Sequence, residues 1–322
     1  MTTRVIVWGA GELASAVHRE ARLHGIDAVH TASPDVTGAA DCVVVTSDSL
    51  IPNPDTAEGV LRLLESGRDV IATAPLAVSD AELASAAERG RARLYRTGVH
   101  QFMVANSVLT LAQALRSVRG VRLVEMLDLS SFPDGHADLA ALGRGGSQLV
   151  ESLGDAVYGS ALRSATAELF TVPRDRIRVD AEAEYLTEQG ELALGADVPA
   201  DTTIRLTYRG DLDGRTVFHT ESYWYLGSDH APSLDLLPYA GFRSAVGYAC
   251  RFDAEPAPLD HQWELAPSDT EAPTTSTLTA LILHAIDPVR AAPTGVLHDD
   301  PTPRYRQDDR ITEDRPPPDS VR

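Results

Sequence analysis

Short apolar runs alternate with amphipathic stretches over the first 100 residues of the chain. Residues 5–8 are apolar, and after them Leu13, Val17 and Ala21 recur at helical spacing. Further short runs follow at 27–31, 41–46, 69–74 and 93–98, and segments with helical character at 54–66 and 79–89 separate the last three of them. Strands that alternate with helices in this way predict a doubly wound parallel sheet, which is an α/β fold.

A glycine-rich turn joins the first predicted strand to the first predicted helix. Gly9 permits a tight turn, Gly11 lets the backbone approach a pyrophosphate, and Ala14 lets the helix pack on the strand. Because a helix N-terminus attracts anions, residues 1–130 are predicted to form a dinucleotide-binding Rossmann domain. The alternative is a doubly wound domain that has lost its cofactor. The residues expected to contact the cofactor are Gly9, Ala10, Gly11, Glu12, Leu13, Thr31, Ser33, Thr46, Ser47, Thr73 and Ala74.

The end of the second strand bears on which dinucleotide is bound. NAD enzymes usually carry Asp or Glu there, but residues 30–34 read His-Thr-Ala-Ser-Pro, with no acid before Asp35. Hydroxyl groups and an imidazole can hold a 2′-phosphate, although no arginine lies between Arg22 and Arg62. We therefore expect NADP as the cofactor, with NAD as the alternative.

The pattern changes in the second half of the chain. A helix is predicted over 104–117 and a strand over 120–128, and a linking segment rich in Gly, Asp and Ala leads to a helix over 147–163. Residues 177–186, 202–208 and 215–225 alternate apolar and polar positions, which predicts an open antiparallel or mixed sheet. Residues 131–286 are thus assigned to an α+β domain for substrate binding and oligomerisation. Its last helix, 275–286, is predicted to end at Asp287 and Pro288, and a return segment and loose tail occupy 287–322.

Composition narrows the classes of function. The 322-residue chain carries a formal net charge of −19, which argues against binding nucleic acid, since that needs clustered positive charge. It has neither a signal-peptide pattern nor a run of the roughly 20 apolar residues that cross a bilayer, so we expect a cytoplasmic protein without a membrane partner. Its two cysteines, Cys42 and Cys250, predict no metal site.

The basic residues limit the possible proton donors. All 28 of them are arginine, so a general acid or base must be His, Asp, Glu, Tyr or a water. His100 follows the fifth strand at the carboxyl edge, where such sheets bind ligands, and imidazole titrates near neutral pH. Glu221 and Tyr223 lie on one face of a predicted strand and are further catalytic candidates if that face looks toward the cofactor. The alternatives are a structural His100 at a strand end and a solvated or structural group around Glu221.

Several motifs, in the same order and spacing, resemble the dihydrodipicolinate-reductase-like group that includes 2,4-diaminopentanoate dehydrogenase and the native amine dehydrogenases. They are Gly9-x-Gly11, Arg96-Thr97-Gly98-Val99-His100, Val198-Pro199-Ala200-Asp201-Thr202, Asp213-Gly214-Arg215, Thr220-Glu221-Ser222-Tyr223-Trp224-Tyr225 and Ala291-Ala292-Pro293-Thr294-Gly295. The resemblance implies hydride exchange between a nicotinamide and a carbon that bears nitrogen. In the family the turn after the fifth strand is closer to Gly-Val-Asn-Pro-Gly, so His100 and Gln101 leave the amine substrate open.

These observations together predict an NAD(P)H-dependent oxidoreductase that acts on a small C=N or C=O substrate. We expect it to form a homodimer through the sheet of its second domain. The alternatives are a catalytically inactive dinucleotide-binding scaffold or sensor and a reductase of an unrelated carbonyl compound.

Overall fold

The structure, a computed structural model, describes residues 3–33, 39–153, 157–187, 190–191, 202–232, 244–265 and 271–298. Its first unit alternates strands and helices. The strands are β1 (Arg4–Trp8), β2 (Asp27–Thr31), β3 (Cys42–Val45), β4 (Asp69–Ala72) and β5 (Arg93–Arg96), and the helices are α1 (Glu12–Leu23), α2 (Pro54–Glu65) and α3 (Asp80–Gly90). The strands pair in parallel in the order β5-β4-β3-β1-β2, which confirms the predicted doubly wound sheet.

Two helices of this unit, α2 and α3, begin within one residue of the predicted positions, and the side chains of neighbouring residues cap them. Asn53 Oδ1 accepts a hydrogen bond from Asp55 N at 2.9 Å, and Pro54 occupies the first helical position of α2. Ser79 and Glu82 form a capping box at the start of α3. The strands β3 and β4 are buried along their whole length, as expected of central parallel strands.

The second unit contains a seven-stranded sheet with helices on one face. A continuous helical run consists of α4 (Val99–Phe102), a π-helical turn (Met103–Val108) and α5 (Leu109–Ala112). After it come β6 (Ser117–Asp128), α6 (Gly135–Leu153), α7 (Gly159–Phe170), β7 (Ile177–Thr187), β8 (Gly190–Glu191), β9 (Thr203–Leu212), β10 (Arg215–Tyr225), β11 (Val246–Glu255) and β12 (Leu259–Leu265). The strand order is β12-β11-β6-β10-β9-β7-β8. The sheet is mixed, because β6 and β10 run parallel while the other neighbours are antiparallel.

The structure of this unit departs from the sequence predictions in three places. The strands β11 and β12 were not predicted at all. The helix predicted to reach residue 117 ends at Ala112, and β6 begins five residues later. Residues 147–153 of the helix predicted over 147–163 belong to α6 and residues 159–163 to α7. Most of the glycine-rich segment predicted as a linker lies inside α6, where apolar contacts of Leu139 and Leu142 outweigh the low helix propensity of glycine.

The chain then returns to the first unit through α8 (Thr275–Ala291) and β13 (Gly295–Leu297), which pairs in parallel with β5. The predicted end of this helix at Pro288 was wrong, since burial of Val289 in the core of the first unit offsets the hydrogen bond that proline removes. The predicted domain boundary at 286 falls inside α8. The predicted tail and the motif at residues 198–201 lie outside the described residues.

Candidate active site

A cavity opens beyond the carboxyl ends of β3, β4 and β5, where open parallel sheets bind their ligands. Ser47, Thr73 and Ala74, which were predicted to contact the cofactor, line it from the first unit. The other side is closed by side chains that include Leu153 of α6, Tyr158 just before α7 and Trp224 of the second sheet. The cavity therefore lies between three of the predicted cofactor contacts and the second sheet.

His100 lines this cavity from the first turn of α4. Its side chain is buried, and its Nδ1 lies 3.3 Å from Oε1 of Glu125, three residues before the end of β6. Its Nε2 is also buried and has no hydrogen-bond partner in the part of the chain that the structure describes. When Nδ1 carries the proton and donates to Glu125, the Nε2 lone pair is left for a ligand.

Four donors converge on the carboxylate of Glu125, which is only 2% exposed. Tyr158 donates to it at 2.7 Å, and His100, Ser222 and Tyr248 are also bonded to it. Burial alone would raise the pKa of Glu125, but the charge of His100 and hydrogen bonds from His100, Ser222 and Tyr158 outweigh it and lower that pKa. Burial and the Glu125 charge raise the pKa of both tyrosines, so they remain protonated donors to an ionised carboxylate.

Glu125 was missed by the sequence analysis, although one signal was present. It is the acidic residue within an otherwise apolar stretch of β6, and strand alternation places it on the same face as the buried Leu123 and Leu127. An acid at a core position needs hydrogen-bond partners or an opposite charge. Such a position is therefore a candidate for a functional site.

Glu221 and Tyr223 lie on the opposite face of the second sheet from His100. Glu221 accepts hydrogen bonds from Arg122 Nη2 at 2.9 Å and from Tyr223 Oη at 3.0 Å. Successive residues of a strand point to opposite faces, so it is Trp224 of β10 that lines the cavity, and Ser222 on the same face bonds to Glu125. The structure thus does not bring these two predicted catalytic residues to the site. The homodimer through this sheet stays a prediction.

Arg96 adds a cationic side chain to the cavity lining. Its Nη2 donates to Asp80 Oδ1 at 2.7 Å and to Ser160 Oγ at 2.8 Å, which ties β5 to α3 and α7. Its Nη1 is buried without a hydrogen-bond partner among the described residues. The site therefore offers two unpaired nitrogen atoms, one on Arg96 and one on His100.

The glycine-rich turn is tight, as predicted, and the backbone amides that follow it bind the carboxylate of Asp48. Gly11 adopts a φ of 94°, and α1 begins at the next residue. Glu12 N donates to Asp48 Oδ2 at 2.7 Å, and Leu13 N donates to Asp48 Oδ1 at 3.1 Å. A Cβ atom on Gly11 would lie 1.9 Å from Asp48 Oδ2. The turn thus holds two anionic oxygens, as a pyrophosphate site requires, but they belong to a side chain of the same protein.

The other predicted cofactor residues contribute to the shape of this turn. Thr31 O accepts from Gly9 N at 3.0 Å, and Thr31 Oγ1 accepts from Ser33 N at 3.1 Å. Thr46 lies against Gly9, since a Cβ there would be 2.2 Å from Thr46 Oγ1. The side chain of Leu13 is buried in the core, so only its backbone faces the turn, whereas Ala10 is exposed.

The described residues contain no group of three or more His, Cys, Asp or Glu side chains that could hold a metal ion. Within the same ranges, no helix is both long and apolar enough to cross a membrane.

Solved structures match the chain over most of its length, whereas no family model and no curated protein matches it. An amine dehydrogenase from Mycobacterium smegmatis has a TM-score of 0.62 at 17% identity, with 96% of this chain and 98% of that chain covered. The fold is that of known dehydrogenases. Myo-inositol 2-dehydrogenase from Lactobacillus plantarum has a TM-score of 0.53 at 10% identity, with coverage of 90% and 89%. GenD2 from gentamicin A biosynthesis, solved in complex with NAD, has a TM-score of 0.50 at 16% identity, with coverage of 84% and 76%.

These identities establish the fold alone, because one fold hosts many activities. The comparison confirms the predicted combination of a Rossmann-type unit with a second sheet. The narrower resemblance to the dihydrodipicolinate-reductase-like group stays a prediction.

Proposed function

We propose that this protein is a nicotinamide-dinucleotide-dependent oxidoreductase that transfers a hydride to or from a small C=N or C=O substrate. The observation that carries the proposal is the His100–Glu125 pair, buried in a cavity at the carboxyl edge of a Rossmann-type sheet. A histidine with one nitrogen held by a carboxylate and the other unpaired is arranged for proton transfer. The dehydrogenase fold of the structural neighbours supports the same reaction class.

The residues present fit a dinucleotide. The backbone amides of Glu12 and Leu13, which already hold two anionic oxygens, would hold its pyrophosphate. Ser47 and Thr73 would lie beside its nicotinamide, because both line the cavity at the ends of β3 and β4. The cofactor supplies the hydride chemistry, and the protein supplies binding, orientation and proton handling.

His100 handles the proton in this proposal. When the substrate carbon is reduced, its oxygen or nitrogen gains negative charge, and protonated Nε2 of His100 neutralises that charge by donating a proton. In the reverse direction Nε2 accepts the proton. Glu125 fixes the ring through Nδ1 and stabilises the imidazolium form. Apolar walls such as Phe132 and Trp224 exclude water, which strengthens these interactions.

The proposal is tested by oxidation of NADPH and NADH with small ketones and oxo acids, each with and without ammonia. Turnover with any of them supports an oxidoreductase, and a requirement for ammonia identifies a C=N substrate. Comparing each oxo acid with its neutral amide shows whether Arg96 recognises an acidic group. Dinucleotide binding without turnover would favour the second candidate, a scaffold or sensor, for which the Asp48 contact at the turn is the supporting observation.

Glu125 is proposed as a positioning residue, and Glu125→Gln tests that role. The amide keeps the size of the side chain but removes the charge that stabilises protonated His100. We expect kcat to fall about tenfold or more and the neutral-pH limb of the pH–rate profile to shift toward lower pH. A purely structural role would lower the melting temperature and leave the position of that limb unchanged, which would contradict the assignment.

The preference for NADP is tested by Ser33→Asp. A carboxylate beside Thr31 repels a 2′-phosphate but accepts hydrogen bonds from free ribose hydroxyls. We expect the Kd for NADP to rise about tenfold or more, which is about 1.4 kcal/mol, while the Kd for NAD stays equal or falls. Fluorescence titration of both reduced dinucleotides measures this, and an unmodified protein that already prefers NAD tenfold contradicts the NADP assignment.

A further inference from the structure

We infer that Asp48 is an internal anion that occupies the pyrophosphate position at the start of α1, so that a dinucleotide binds only by displacing it. Asp48 thereby sets the affinity of the protein for its cofactor. The identity of the displaced ligand rests on the proposed function, whereas the contact itself does not.

The first argument is the geometry of the contact. Both oxygens of the Asp48 carboxylate accept hydrogen bonds from consecutive backbone amides, Glu12 N at 2.7 Å and Leu13 N at 3.1 Å. These amides belong to the first turn of α1, where no backbone acceptor of the helix is available and the helix dipole is positive. They are the groups that a phosphate needs, so the carboxylate and a phosphate compete for the same donors.

The second argument is the space beside Gly11. A glycine there leaves room for a ligand to approach the backbone, and Asp48 fills that room, because Oδ2 lies only 1.9 Å from where a Cβ would stand. A phosphate in the same place would be in contact with the carboxylate. Two negative groups at that distance repel each other, so both cannot remain.

The third argument is the anchoring of the segment that carries Asp48. Ser49 Oγ donates to Asp138 Oδ1 at 2.6 Å, and Leu50 N donates to Asp138 Oδ2 at 2.7 Å. Asp138 belongs to α6 and is buried, so the backbone next to Asp48 is attached to the second unit. Rotation of the Asp48 side chain frees both amides and leaves these contacts in place. The displacement is therefore a local movement of one side chain.

Asp48→Asn and Asp48→Ala test this inference through two readouts that move in opposite directions. Asp48→Ala removes the acceptors of both amides, and Asp48→Asn removes one of them together with the negative charge, so the ligand-free variants should melt a few degrees lower. Loss of the carboxylate also removes the competitor, so the Kd for NADP and NAD by calorimetry should fall about tenfold or more. A residue that only stabilises the turn would lower the melting temperature and leave binding unchanged or weaker, and either of those binding results overturns the inference.

Asp41→Asn is the matched control. Asp41 also accepts a backbone hydrogen bond, from Arg4 N at 2.8 Å, but it precedes β3 and lies at the opposite edge of the sheet from the turn. Its removal changes the net charge equally and should leave the Kd within about twofold. Equal tightening in this control would show a general charge effect and overturn the inference.

Inorganic pyrophosphate separates this inference from the proposed function. If neither the unmodified protein nor the variants bind a dinucleotide, the proposed function fails, and pyrophosphate binding alone then decides the role of Asp48. Tighter pyrophosphate binding by the Asp48 variants supports the internal anion. Pyrophosphate binding that is equal or absent in all forms overturns it.

Discussion

Replacing His100 by alanine is expected to lower kcat by about 10²-fold or more, the scale of lost general acid–base catalysis. The expectation follows from the unpaired Nε2 and the hold of Glu125 on Nδ1, which make His100 the proton-transferring group of the cavity. The Kd for the dinucleotide should remain within about twofold, because the anion-binding amides of Glu12 and Leu13 are unaffected. Steady-state rates over a range of pH should also lose the limb near neutral pH.

The chain contains a matched control for this substitution. His219 also lies beside a glutamate, with Nε2 3.5 Å from Glu221 Oε1, but on the opposite face of the second sheet. His219→Ala should therefore leave kcat and the pH–rate profile unchanged. Full kcat in His100→Ala on an established substrate would make His100 structural, and a loss confined to His219→Ala would place the chemistry on the other face.

The first sheet could be predicted because its signals are local. Each central strand is a short apolar run, the capping residues Asn53 and Ser79 mark helix starts, and Gly9 and Gly11 sit between a strand and a helix. A parallel, doubly wound sheet then follows from the alternation alone. The same local pattern predicts that His100 lies at the carboxyl edge of the sheet, because it follows the fifth strand.

The second unit could not be predicted in the same way, because its arrangement depends on contacts between distant segments. The parallel pairing of β6 with β10 joins Val121 to Phe218 and is not visible in either segment alone. Alternation along β10 shows that Glu221 and Tyr223 share one face and Ser222 and Trp224 the other, but both faces carry polar and aromatic groups. Only the position of the helices shows which face meets the cavity, and here it is the face that carries Ser222 and Trp224.

The role of Asp48 could not be predicted from the sequence for a different reason. It lies in a loop, where no periodic pattern reports on a residue, and a serine on each side makes it resemble an ordinary polar turn. Its contact with the amides of α1 joins two segments about 36 positions apart. The glycine-rich turn could therefore be predicted as an anion site, but the carboxylate that fills it could not.

Gly11→Asp is expected to reduce dinucleotide binding below detection by calorimetry. The φ of 94° and ψ of −162° at this position belong to a region that is essentially confined to glycine, so any side chain strains the turn. The added carboxylate would also stand beside Asp48 at the start of α1, which concentrates negative charge where the pyrophosphate must bind. Gly11→Ala adds only the Cβ and should weaken binding through the strain and the contact with Asp48.

Gly25→Asp controls for a new side chain at a glycine with positive φ. Gly25 has a φ of 75°, follows α1 at its other end, and has open space where a Cβ would stand. This variant should lose some stability, by roughly 1–2 kcal/mol for a left-handed residue, and bind the dinucleotide as the unmodified protein does. A cooperative thermal transition verifies that each Gly11 variant is folded before its binding is measured. Undiminished binding by folded Gly11→Asp would remove the glycine turn from the cofactor site, because no pyrophosphate can approach these amides past an aspartate side chain.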